Sequence, residues 1–135
     1  MTRPTRSTST EGGTDPGEVS IETVILIPVV MFLVLMSVQA AVLLHGVTMA
    51  EHISMQGAAA AARYGASESA GIRAAEDAAS SLGARLWGAP LVSVTAHDVT
   101  VEVSVRVPRA VPLFPEVVSR TTTVPRERFT AYGER

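Results

Sequence analysis

The sequence predicts an α+β protein: a long N-terminal transmembrane helix that extends into a small external domain, which holds a second helix and a three-stranded antiparallel sheet. Three observations lead to this prediction. Residues 23–50 contain no Asp, Glu, Lys or Arg, residues 72–87 repeat apolar side chains at spacings of three and four, and residues 99–107 alternate Val with polar residues. These patterns are typical of a membrane span, an amphipathic helix and a half-buried strand, respectively.

The composition limits the classes of function. The chain has 135 residues, 11 basic and 13 acidic side chains, and no cysteine. The lack of cysteine excludes disulfides, thiolate metal sites and thiol catalysis. A net charge of −2 gives no reason to expect a nucleic-acid partner, because nucleic-acid binders normally carry a basic excess on one face. The mean hydropathy of +0.28 is an average over unlike segments.

The N-terminal segment, residues 1–17, is rich in Thr, Ser, Gly and Pro and contains no large apolar residue after Met1. Such a segment cannot bury enough surface to offset the entropy that it would lose on ordering. We therefore expect residues 1–17 to form a disordered leader.

A long hydrophobic helix, predicted over residues 18–64, follows the leader. Residues 24–44 are almost entirely apolar, and a bilayer core of about 30 Å requires roughly 20 such residues. A buried core helix is one alternative, but so short a chain has too little other material to cover it. A cleaved secretory signal is another, and it is disfavoured because residues 41–44 stay apolar after the candidate cleavage site at residues 38–40.

The positions of the arginines predict the orientation. Arg3 and Arg6 precede the span, and the first basic residue after it is Arg63. By the positive-inside rule, this distribution places the N-terminus in the cytoplasm and the C-terminal domain outside the membrane. We therefore expect a single-pass protein of the cytoplasmic membrane.

The part of the helix beyond the span carries small residues at every fourth position. Such a row would allow another helix or a sheet to approach closely. An Ala-rich composition also produces such rows by chance, so both interpretations stay open. The row comprises Gly46, Ala50, Ser54, Ala58, Ala62 and Ala66.

A small soluble α+β domain is predicted over residues 65–129. Its first element is the second helix, residues 72–87. The Gly-Ala-Pro sequence that follows these residues ends the helix. Two strands come next, residues 91–96 and 99–107, and His97 and Asp98 form the turn between them.

A Pro-rich connection and a third strand complete the domain. Pro108, Pro112 and Pro115 cannot take part in a central ladder. Residues 117–124 are rich in Thr and Val, which favour strands, and we expect residues 130–135 to fray.

No arrangement of residues indicates an enzyme. The sequence contains no nucleophile elbow, phosphate-binding Gly loop, zinc-protease helix or paired acidic motif. His45 and His52 lie two helical turns apart, too far to share a metal without other ligands, and Met49 between them is more typical of packing. His97 and Asp98 resemble part of a catalytic triad only in residue type. We expect no catalysis, no cofactor and no metal.

Glu22 is the candidate functional residue. At the membrane surface a carboxylate favours a helix N-terminus, whereas at the membrane centre it would cost about 2.5–3.5 kcal/mol. Glu22 follows Gly17 and the four residues 18–21, and an uninterrupted apolar run follows Glu22. This order resembles the N-terminus of a type IV prepilin or pseudopilin.

That resemblance implies proteolytic processing. A prepilin peptidase cuts such proteins after the glycine on the cytoplasmic side, and a glutamate five residues after the cut is retained. Here the cut would fall between Gly17 and Glu18, and Glu22 would hold the glutamate position. The new amine at Glu18 could then neutralise Glu22 of a neighbouring subunit as the apolar helices bundle, which would set their axial register.

Within that superfamily, the chain resembles the TadE-like (TadE/TadG) family, pilin-like proteins of the tight adherence (Tad) pilus system. Residues 20–30 resemble its signature, in which a glutamate, here Glu22, is followed by an aliphatic run with a proline, here Pro28. Such a proline would break a helical hydrogen bond and kink the helix. The similarity to actinobacterial-type members continues through residues 57–65 and residues 124–129.

The resemblance implies a minor pilin or pseudopilin that takes part in assembly of a Tad-type pilus or a related secretion filament. Its partners would be a prepilin peptidase, other pilin-like subunits, the pilus assembly machinery and the lipid bilayer. Two alternatives stay open. One is an uncleaved single-pass membrane protein whose external domain binds a partner, and the other is a pseudopilin of a DNA-uptake or type II secretion system.

Overall fold

The computed structural model describes residues 16–127, and the side chains of residues 22–127. Most of the predicted leader, residues 1–15, and the predicted frayed end, residues 130–135, lie outside the described residues. The elements are α1 (Pro16–Ala62), α2 (Glu68–Ser81), β1 (Arg85–Leu86), β2 (Leu91–Val94), β3 (Asp98–Arg106) and β4 (Val117–Pro125).

The chain divides into two compact units, Met1–Leu35 and Met36–Arg135. In the first unit the described residues are helical from Pro16 onward. The second unit contains the rest of α1, all of α2 and the four strands. A long apolar helix, a second helix and an antiparallel sheet confirm the predicted α+β class.

The sheet is built around β3. β4 pairs antiparallel with the whole of β3, from Asp98 opposite Pro125 to Arg106 opposite Val117. On the other side of β3, the partner is β2 along the N-terminal half and β1 at the C-terminal end, both antiparallel. β1 and β2 thus share one side of the central strand.

The prediction of three strands is wrong, because the sheet has four. The additional strand is β1, whose residues lie inside the segment 72–87 that the apolar spacing assigns to the second helix. In the structure α2 begins four residues earlier, at Glu68, and ends at Ser81.

Gly83 explains why α2 ends there. Its φ of 66° is a left-handed conformation that favours glycine and commonly ends helices. The backbone N–H of Ala84 donates to the carbonyl oxygen of Ala79 at 2.9 Å, which closes the last turn. The chain is then free to extend, and Arg85 comes opposite Arg106.

The turn between β2 and β3 is confirmed at His97, whereas Asp98 is the first residue of β3. The Thr95 hydroxyl stabilises this turn. It accepts a hydrogen bond from the backbone N–H of Asp98 at 3.0 Å and donates one to the Asp98 carbonyl oxygen at 2.9 Å. Short polar side chains stabilise turns in this way by bonding to nearby backbone groups.

The buried face of β3 forms the core of the second unit, as the alternating pattern predicts. The valines of this face are at most 2% exposed. They pack against α1 and α2 through small side chains and one large residue, Ile53. The buried residues are Val99, Val101, Val103 and Val105 of β3, Val107 directly after it, and Ala50, Ala58, Ala61, Ala75 and Ala79 of the helices.

The row of small residues on α1 is buried from Gly46 to Ala62. At Gly46 the backbone lies directly against Val107, so an added Cβ would overlap with the Val107 side chain. The row therefore marks a real contact, as the packing interpretation predicts. Ala66 lies beyond the end of α1 and is half-buried.

Candidate functional site

The candidate site is the apolar surface of α1 in the first unit. Every large apolar side chain of residues 24–35 is exposed, from 43% at Leu35 to 68% at Val24. Successive residues of a helix are rotated by about 100°, so these side chains cover all of its sides. We call residues 24–35 the apolar sleeve.

The sleeve belongs to Glu22–Ala62, which is the one segment of residues 22–127 long and apolar enough to cross a membrane. Its most apolar window has a mean hydropathy of 2.5, and 6% of that window is buried. The core helix of a soluble protein would be mostly buried, whereas a membrane span or a signal sequence would not. The helix can therefore span a membrane by its length and composition.

The predicted processing residues lie at the start of α1. The helix begins at Pro16, so Gly17 and Glu18 belong to its first turn, and their side chains lie outside the described set. Glu22 is about one turn further along and is exposed. It is the last carboxylate of the sequence before Glu51.

Pro28 lies inside α1, within the sleeve, and the helix continues on both sides of it. Proline has no backbone N–H, so it removes one hydrogen bond from the helical ladder. The kink expected at Pro28 stays a prediction.

Gln39 is a structural feature that the sequence analysis missed. It lies inside the predicted span of residues 24–44, yet it is only 3% exposed. Its Nε2 donates a hydrogen bond to the carbonyl oxygen of Pro108 at 3.2 Å, and its Oε1 accepts one from the backbone N–H of Ala110 at 2.9 Å. A single side-chain amide thus holds the Pro-rich connection against α1 and provides hydrogen-bond partners for two backbone groups.

The Gln39 contacts show that protein covers part of the segment predicted to lie in the membrane. Within residues 39–44, Ala40, Val42 and Leu43 are half-buried, whereas Leu44 is exposed. The helix is therefore exposed on all sides only before Gln39, and it is exposed on one side from there to Leu44. The signal in the sequence is the amide of Gln39 within a run that is otherwise apolar except for Ser37.

The histidines of the described residues are not brought together. His45 and Met49 line a cavity of about 250 Å³ at the end of the sheet, whereas His52 lines a groove between α1 and α2. His97 lies in the turn between β2 and β3. Within residues 22–127, no three His, Cys, Asp or Glu side chains are grouped closely enough to hold a metal ion.

No family model, curated protein or solved structure matches this chain. Any assignment of function therefore depends on the residues of the sleeve, on Glu22 and on the way in which α1 packs against the sheet.

Proposed function

We propose that the chain is a minor pilin or pseudopilin that takes part in assembly of a Tad-type pilus or a related secretion filament. The observation that carries this proposal is a single helix in which Glu22 precedes an exposed apolar sleeve. A helix that is apolar on all sides requires lipid or other apolar helices around it. A pilin-like subunit would use lipid before assembly and neighbouring subunits afterwards.

In this proposal α1 crosses the cytoplasmic membrane with its N-terminus in the cytoplasm. Residues 24–44 would extend over about 31 Å at 1.5 Å per residue, close to the thickness of a bilayer core. Arg3 and Arg6 before the span support this orientation. A Gln39 within this span does not leave an unsatisfied amide, because its side chain is already hydrogen-bonded to Pro108 and Ala110.

Glu22 would set the axial position of the subunit in the filament. A carboxylate surrounded by apolar helices is costly unless a cation pairs with it. Cleavage between Gly17 and Glu18 would create an amine one helical turn away from Glu22. The amine of one subunit could then pair with the Glu22 carboxylate of the next, and a shift along the helix axis would break that pair.

Intact-mass measurement tests the processing step. The membrane-extracted chain, co-expressed with a prepilin peptidase, is expected to begin at Glu18. The variant Gly17→Leu is expected to stay uncleaved, because a bulky side chain would replace the glycine at the scissile bond. Gly13→Leu is the matched control within the same leader, and it is expected to be cleaved normally.

A wild-type chain that keeps the mass of Met1 to Arg135 in the presence of an active prepilin peptidase would contradict the proposal. It would favour the alternative of an uncleaved single-pass membrane protein whose soluble part binds a partner. The same peptidase acting on a known prepilin substrate in parallel shows that the enzyme is active.

Filament yield tests the role of Glu22. Glu22→Ala is expected to leave cleavage largely intact but to lower the amount of filament. Glu51→Ala makes the same chemical change at another exposed position of α1, and it is expected to assemble normally. A wild-type filament yield from Glu22→Ala would rule out the proposed role in assembly.

A further inference from the structure

A basic cleft lies at the end of the sheet where β3 passes into the Pro-rich connection. It has a volume of about 360 Å³, and its walls include Val107 and Pro108. Three positive charges and one negative charge also line it. These charged residues are Arg85, Arg106, Arg109 and Glu116.

Glu116 compensates only part of this positive charge. The Nε of Arg106 lies 3.5 Å from Glu116 Oε1, and the Nη2 of Arg109 lies 4.0 Å from Glu116 Oε2. Ion pairs at exposed positions such as these contribute little. Among the described residues, no carboxylate forms an ion pair with Arg85. The cleft therefore keeps guanidinium groups available for an anion.

A large apolar side chain lies beside the cleft, and a second one lies between Arg109 and Glu116 along the chain. Trp87, the one tryptophan of the chain, is 52% exposed, and its ring centroid lies 4.3 Å from the Cζ of Arg106. Leu113, in the Pro-rich connection, is 82% exposed. Exposed tryptophan beside arginine is typical of the interfacial layer of membrane proteins, where the ring contacts apolar groups and the charges contact headgroups.

The hydrogen bonds of Gln39 connect the cleft with the segment that leaves the sleeve. Gln39 holds the backbone of Pro108 and Ala110, and Pro108 and Arg109 line the cleft. Along the chain, only residues 36–38 separate Gln39 from the sleeve. Chain length alone therefore limits how far the cleft can lie from the end of the sleeve.

We propose that this cleft binds the phosphate group of an anionic phospholipid in the membrane that the sleeve crosses. This inference rests on the membrane span of the proposed function. Guanidinium groups bind phosphate oxygens through pairs of N–H donors. Trp87 and Leu113 favour a lipid over a soluble phosphate, because both side chains would gain an apolar environment only at a bilayer.

The fluorescence of Trp87 provides the test, because no other tryptophan contributes to the signal. The full chain is reconstituted into phosphatidylcholine vesicles with increasing amounts of phosphatidylglycerol, and one of the two lipids carries brominated acyl chains. Carbonate extraction first shows whether the chain is inserted. We expect brominated phosphatidylglycerol to quench Trp87 more strongly than the same fraction of brominated phosphatidylcholine.

The double variant Arg85→Ala/Arg109→Ala tests the cleft without removing Arg106, which contacts Trp87. Each arginine near an anionic surface contributes about a fivefold factor in binding. The two factors multiply, so we expect half-maximal quenching of the double variant to require roughly 25-fold more phosphatidylglycerol than that of the wild type. Arg73→Ala/Arg120→Ala makes the same charge change at exposed positions that do not line the cleft, and it should match the wild type.

Three outcomes would overturn the inference. If the chain resists carbonate extraction but both brominated lipids quench Trp87 equally, the proposed lipid site is ruled out and the proposed membrane span is not. If carbonate extracts the chain from the vesicles, the proposed membrane span and the proposed lipid site are both ruled out. Loss of the phosphatidylglycerol preference on addition of inorganic phosphate, but not of sodium chloride at the same ionic strength, would assign the cleft to a soluble anion.

Discussion

The two parts of α1 differ in the size of their apolar side chains and in what covers them. The sleeve, residues 24–35, carries large apolar residues on all sides, and they are exposed. From Gly46 to Ala62 the helix instead presents a row of small residues that is buried inside the second unit. Ile27 is 57% exposed, whereas Ile53 is fully buried. Hydrophobicity alone therefore does not distinguish the two surfaces, whereas the spacing of small residues does.

The largest expected effect on stability comes from replacing an isoleucine by alanine in each of the two parts of α1. Ile53→Ala removes a fully buried side chain from the core, and it should lower the free energy of unfolding of the second unit by about 2–5 kcal/mol. Ile27→Ala should leave this free energy unchanged, because the Ile27 side chain is exposed. Amide hydrogen exchange of β3 in detergent micelles measures both variants. Equal destabilisation by the two variants would contradict the comparison.

A smaller effect is expected from enlarging two neighbouring alanines. Ala58 is fully buried against the sheet, whereas Ala59 is exposed. Ala58→Leu should destabilise the second unit by about 1–3 kcal/mol, because the added atoms overfill a packed core. Ala59→Leu should change the stability by no more than about 0.5 kcal/mol. Denaturant titration of both variants in micelles checks this difference, and a neutral Ala58→Leu would show that the row of small residues is not closely packed.

The smallest of these effects on stability is expected from replacing Gln39, whose side-chain amide holds the Pro-rich connection against α1. Gln39→Leu leaves the carbonyl of Pro108 and the N–H of Ala110 without their side-chain partner. We expect a loss of about 1–2 kcal/mol and faster hydrogen exchange at Ala110. Gln56→Leu, at an exposed position of α1, is the control and should change neither quantity. Unchanged exchange at Ala110 in Gln39→Leu would show that these bonds do not hold the connection.

Periodic elements were predictable from the sequence, and a short element was not. β3 and β4 follow from a repeat of two and from their Val and Thr content. β1 has two residues, too few to show any period, and it exists because Arg85 and Leu86 pair with a strand about twenty residues later. Gly83 was the available signal, since glycine commonly follows the last turn of a helix.

The candidate site was predictable only in part, for a similar reason. The apolar run and the position of Glu22 are local properties, so the sequence alone locates them. The role of Gln39 depends on Pro108 and Ala110, which lie 69 and 71 residues away. The basic cleft likewise combines residues from β1, β3 and the Pro-rich connection, and no local pattern brings these segments together.

Single-cysteine labelling along α1 tests the central claim most directly, because the chain has no cysteine of its own. Ile27→Cys and Ala59→Cys place a thiol at two exposed positions of the same helix. With a membrane-impermeant maleimide applied to intact cells, we expect Ala59→Cys to be labelled, and Ile27→Cys to be labelled only after detergent dissolves the membrane. Labelling of Ile27→Cys in intact cells as fast as Ala59→Cys would contradict a sleeve that lies in the bilayer.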